Sequence, residues 1–250
     1  MRFSRITTNG AWFSTHREME QALRRLIAAG YDGDICVSID AFHRQDLRKV
    51  AAFIKQATGL AQRPDAVSVA AIKGVRESGT LARLKDLVCL LQGRFLRESE
   101  ALAWIKNNDL FIRISFGDYS SVGKAGMLKH PWKDERWFKD DYCRGPGNVL
   151  FVLPDGTVKP CCGYADTGLL TLGSIYRDAP ATLITNARKN PFVAAIFSRG
   201  LAPIRKDLEK AGVTFPGKTT DHCFFCDHLA RKIQPSILDH TLENLSKRKT

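Results

Sequence analysis

No apolar run in this 250-residue chain approaches the ~18–20 residues that a membrane-spanning helix needs. No apolar stretch follows Met1-Arg2-Phe3-Ser4-Arg5 either. The start therefore does not read as a secretory leader, and the expected compartment is the cytoplasm. Internal repeats and low-complexity tracts are missing. Acidic residues are scarce, 26 against 38 Lys and Arg, giving a formal charge of +12. Such a balance permits attraction to nucleic acid, phosphorylated substrates or acidic peptides. Yet no basic strand interleaved with aromatic residues stands out, and the basic residues are spread along the chain. The one true run, Lys247-Arg248-Lys249, lies at a terminus expected to fray.

What is present reads first as an α/β protein. Hydrophobic residues make up 44% of the chain, enough for a sizeable core. Arg5-Ile6-Thr7-Thr8 reads as the end of a strand, stopped by Asn9-Gly10. Thr15 and Glu18 have capping-box spacing. Met19, Ala22, Leu23, Leu26 and Ile27 then form one helical face, with Gly30 as a stop. Ile35–Ile39 is a buried-strand run, followed by a helix with Leu47, Val50, Ala51 and Ile54 on one side. Ala66–Ile72 is the next strand, and helices are expected around Thr80–Leu91 and Ser99–Lys106. Leu110–Phe116 closes the series. This alternation predicts parallel strands with crossover helices. Residues 117–142 read as a connector rich in Gly, Pro, Trp and charge. Val149–Leu153, the turn Pro154-Asp155-Gly156 and Thr157–Lys159 predict a β-hairpin, and short helices are expected around 180–188, 192–198 and 203–211.

Four of the seven cysteines point to one metal or iron–sulfur site. Cys143 precedes the hairpin and Cys161 follows it, and a hairpin brings its outer ends together. Gly156 supplies the turn. Cys223 and Cys226 can address one ion or cluster from a single turn. Cytoplasmic thiols stay reduced, so clustered ones favour a metal over disulfides. Four thiolates bind either zinc or an iron–sulfur cluster. Cys162 adjoins Cys161 and is read as a neighbour, because Cys161 completes the spacing from Gly156. Cys36 and Cys89 lie in apolar runs and read as core. His222 and His228 flank the last pair as substitutes that four cysteines do not need.

The segment from Cys143 through Gly147-Asn148-Val149-Leu150-Phe151-Val152-Leu153-Pro154-Asp155-Gly156-Thr157-Val158-Lys159-Pro160-Cys161-Cys162 resembles the SPASM/twitch auxiliary-cluster domain of radical S-adenosylmethionine enzymes. Leu172-Gly173-Ser174-Ile175 resembles the family's "LGNI" step. Only two cysteines follow, so the resemblance is to the short twitch form with one cluster. The first half is similar to the later part of the family's partial (β/α)6 barrel. Thr8-Asn9-Gly10 resembles the "TNG" ending of its third strand, and Val37-Ser38-Ile39-Asp40 the "SxD" of its fourth. Asp65–Ile72 and Leu110–Phe116 would be strands five and six, and Val122-Gly123-Lys124-Ala125 resembles the small-residue step after the barrel.

The resemblance implies the C-terminal part of a radical-SAM barrel over 1–130, an α+β twitch-type iron–sulfur domain over 131–235, and a helix end with basic tail over 236–250. It implies an auxiliary [4Fe-4S] cluster on Cys143, Cys161, Cys223 and Cys226. It implies that Asn9, Ser38 and Asp40 lie where the family holds S-adenosylmethionine; turn chemistry at Asn9-Gly10 and a strand end at Ser38 are the plainer alternatives. Expected partners are a peptide or small-molecule substrate and a reductant such as flavodoxin or ferredoxin, with no membrane and no nucleic acid. The family's catalytic triplet, Cys-x3-Cys-x2-Cys, is not in this sequence, nor is its "GGEP"-type segment. S-adenosylmethionine and a second [4Fe-4S] cluster are therefore expected only in a complete chain, and this one reads as an N-terminally truncated form, inactive alone. No catalytic acid or base is singled out; Asp118, Tyr119 and His130 are eligible. The rival reading is a zinc-binding basic module that engages nucleic acid or protein.

Overall fold

The computed structural model describes residues 5–74, 76–117, 131–138, 146, 149–161 and 168–247, with side chains as far as 244. The chain divides into two units, Met1–Tyr119 and Ser120–Thr250, each with its own apolar core.

In the first unit the elements run β1 (Arg5–Thr8), α1 (His16–Ala28), β2 (Asp34–Ser38), α2 (Leu47–Ala61), β3 (Val67–Ile72), α3 (Glu77–Leu90), β4 (Arg94–Arg97), β5 (Leu102–Lys106) and β6 (Phe111–Gly117). Short polar side chains start the first two helices. Thr15 Oγ1 accepts the Glu18 N–H at 3.2 Å, and the Glu18 carboxylate accepts the Ser14 N–H at 2.7 Å. Asp46 caps α2 by accepting the Arg48 N–H at 2.8 Å. These bonds satisfy donors that the first helical turn leaves open. Strand order is β1-β2-β3-β6-β5-β4. β1, β2, β3 and β6 are mutually parallel, as the alternation predicts.

The two faces of that sheet differ. Val37, Val69 and Ile114 join Met19, Leu23, Phe53 and Ile54 of the helices in one buried cluster. The opposite row, in register across the strands, is Thr7, Cys36, Ser68 and Arg113. That row is built of polar side chains and one thiol, and Phe111 and Trp104 lie further along the same face.

The segment expected as a helix at Ser99–Lys106 is extended instead. β5 runs antiparallel to β6, and β4 antiparallel to β5, so the sheet is mixed. The reason is periodicity: Ala103 and Ile105 are fully buried while Trp104 between them stacks on Phe111 at 4.6 Å. Alternation of this kind fits a strand.

The second unit opens its described elements with a three-stranded antiparallel sheet of β7 (Phe151–Val152), β8 (Thr157–Lys159) and β9 (Gly173–Ser174). The expected hairpin is β7–β8. Then come α4 (Pro180–Lys189), α5 (Pro191–Arg199), α6 (Leu201–Lys210), α7 (His222–Lys232) and α8 (Pro235–Lys247). The first three occupy the short helical stretches expected from sequence. α8 belongs to the core through Leu238 and Leu242. Residues 131–138, which the sequence presents as part of a connector, also pack here: Phe138 is buried, and Trp132 and Trp137 lie against the same cluster.

Candidate functional site

α7 carries two of the four candidate thiols. Asp221 sets its start by accepting the Phe224 N–H at 2.9 Å. Cys223 and Cys226 then fall three residues apart, a spacing that puts both on one helix face. Cys226 is buried and Cys223 half-buried. Cys161 comes two residues after β8 and is also buried. Cys161 and Cys226 are members of one apolar cluster with Phe138, Val158, Phe225 and Leu229. Cys143 and Cys162 lie outside the described residues. Among the described residues, no three His, Cys, Asp or Glu side chains are grouped so as to hold a metal ion.

Aromatic rings wrap α7. Trp132 meets Phe224 edge-on at 5.0 Å and His228 at 4.8 Å, while Phe138 lies 5.1 Å from Phe225 and 4.8 Å from His222. Burial lowers the pKa of His228 below its ordinary value; Lys232 lowers it further and Asp227 opposes the shift. Sequence patterning missed this cage, because Trp132, Trp137 and Phe138 sit in a stretch without helical or strand periodicity.

Of the remaining cysteines, Cys36 is buried but outside the helix-facing cluster. Burial raises its thiol pKa, partly offset by a hydrogen bond with Ser68. Cys89 is exposed on α3, contrary to the core position expected.

The three polar residues at the strand ends take separate roles. Asn9 and Ser38 follow directly on the paired residues Thr8 and Val37 of β1 and β2, so they share one edge of the sheet. Asn9 is exposed, and its Oδ1 accepts the Ala11 N–H at 3.0 Å, a local turn. The Ser38 carbonyl accepts Gln45 Nε2 at 2.7 Å. Asp40 is buried at 2% exposure. Its Oδ1 accepts the N–H groups of Phe42 at 2.7 Å and His43 at 2.9 Å, and its Oδ2 lies 2.6 Å from His43 Nδ1. Burial opposes ionisation of Asp40, but the hydrogen bonds from the His43 ring and from the His43 and Phe42 backbone outweigh it, and the carboxyl is held below its ordinary range. For His43 the bond to Asp40 raises the imidazole pKa, with burial and the charge of Arg83 opposing. His43 is a functional candidate that sequence reasoning passed over; the available signal was an Asp and a His three apart directly after a strand. Asp118, Tyr119, His130 and the 122–125 step lie outside the described residues.

Compared with known proteins, the chain matches no family model and no curated sequence. No helix among the described residues is long and apolar enough to cross a membrane.

Proposed function

We propose that this chain is a radical S-adenosylmethionine protein with a twitch-type domain, in which Cys143, Cys161, Cys223 and Cys226 hold an auxiliary [4Fe-4S] cluster. One observation carries the reading: Cys161 and Cys226, 65 positions apart in the numbering, are buried in the same apolar cluster, with Cys223 on the same face of α7. The donor type suits the group, since thiolates are the ordinary ligands of iron–sulfur clusters. The order of the parallel strands β1, β2, β3 and β6 supports reading them as strands three to six of a partial (β/α)6 barrel.

When bound, a cluster with thiolate on every iron supplies electron transfer or structural support. The protein's own part is distinct. β8 and the cap of α7 fix where two backbone segments deliver sulfur. The rings of Trp132, Phe138 and Phe225 pack together at α7 and would shield a cluster held there from water, which would tune its potential. The catalytic triplet is not in this sequence, so no cleavage of S-adenosylmethionine is assigned to these residues. Modification of a peptide or small metabolite belongs to a polypeptide that carries the triplet.

The test is anaerobic purification and reconstitution followed by iron, sulfide and zinc analysis. The reading expects a brown protein with about four irons and four sulfides per chain. A colourless protein with about one zinc would establish the binding-module alternative instead.

A further inference from the structure

The loop after β2 holds a pairing that the cluster reading does not use. The Asp40 side chain is 3% exposed and that of His43 is 46% exposed, with 2.6 Å between Oδ2 and Nδ1. Two backbone N–H groups hold the other carboxylate oxygen, so the carboxylate cannot rotate away. The loop is also tied to α3, since the Ala41 N–H donates to the buried Thr80 hydroxyl at 3.1 Å. Gln45 bridges the Ser38 carbonyl to Arg83 of α3. The charged groups around the imidazole are Asp40 beneath it and Arg83 from α3. Arg76 lies over the Phe42 ring, Glu77 of α3 accepts the Gly74 N–H, and Asp46 is engaged as the α2 cap. Arg44 is exposed beside His43. A buried carboxylate on Nδ1 fixes the tautomer and the ring plane and leaves Nε2 for a second partner. The loop starts at the C-terminal end of a parallel strand flanked by two others, the end where such sheets assemble their sites.

We propose that His43 is a proton-transfer residue of a site at this strand end, acting on an O–H or N–H group of a substrate, with Asp40 as its positioning residue. In the forward step the substrate O–H or N–H bond breaks and its electron pair stays on the substrate heteroatom. The proton passes to Nε2, and the Asp40 carboxylate stabilises the resulting imidazolium through the Nδ1–H bond. The reverse step returns the proton, and no oxidant or reductant is consumed. The proposal stands independently of the cluster, because both residues lie in the first unit.

Carbethoxylation by diethyl pyrocarbonate, mapped residue by residue by mass spectrometry on the full chain, tests it. The exposed His16 and His240 serve as internal references. At a pH where every imidazole is neutral, His43 should react several-fold faster than either reference. Asp40→Asn should bring it down to the reference rate, with the fold checked by circular dichroism. The ring titration of His43, followed by NMR, should fall in midpoint in the same variant. Should Asp40→Asn not fold, the wild-type rates decide alone. A wild-type His43 that reacts no faster than His16 overturns the proposal, as does a titration unchanged by Asp40→Asn.

Discussion

Asp40 and His43 give the loop after β2 a pH dependence of defined sign. The Asp40 pKa is lowered on folding, so its stabilisation is present above the unfolded carboxyl value of about 3.9 and is lost as pH falls through the lower folded value. The His43 pKa is raised, so its stabilisation is full below about 6.5 and is lost as pH rises through the raised value. The gap in melting temperature between wild type and His43→Gln should therefore be widest between about pH 4 and 6.5 and close at alkaline pH. Thermal unfolding across pH checks this; a gap constant into the alkaline range would refute it. The thiols make a second prediction at this scale. Cys226→Ser should lower the iron retained after reconstitution, whereas Cys89→Ser, on the exposed side of α3, should leave it unchanged.

Among the elements, the β7–β8 hairpin depends most visibly on one residue. Gly156 has φ of 80°, and a Cβ there would run into the Tyr176 ring. Gly156→Ala should cost about 1–2 kcal/mol from backbone conformation alone, measured by denaturant unfolding. Phe225, fully buried on α7, should cost about 3–5 kcal/mol when cut to Ala. The hairpin was legible because the turn Pro154-Asp155-Gly156 separates the apolar run Val149–Leu153 from the short strand Thr157–Lys159, and the Thr15 cap because its partner Glu18 stands at fixed spacing. β5 was not: Leu102, Ala103, Trp104 and Ile105 are all apolar, so the alternation between buried and half-buried positions appears only in the folded sheet. Cys161, Cys223 and Cys226 were singled out by spacing, but the burial of Cys161 and Cys226 in one apolar cluster appears only in the fold. The Asp40–His43 pair was not, because a three-residue spacing in a loop does not specify that the side chains meet. Trp132 and Trp137 went unread for a related reason, since their cage is assembled from residues some ninety positions away.

At the scale of the molecule, two separate cores mean that a ligand held in one unit should stabilise that unit first. Removing a bound cluster by chelation should then speed hydrogen exchange in β8 and α7 and leave β2 and β3 unaffected, read by exchange mass spectrometry. Equal loss of protection in both units would show that the metal does not belong to the second one. The first unit is a mixed sheet with helices packed on its apolar face, where Val37, Val69 and Ile114 are buried.

The decisive measurement is the metal and sulfide content of the full chain reconstituted anaerobically, set beside that of Cys161→Ser and Cys226→Ser. The account predicts about four irons and four acid-labile sulfides in the wild type, and loss of both in each variant. Stoichiometric zinc without sulfide, or iron that stays unchanged when Cys161 and Cys226 are replaced, would contradict it.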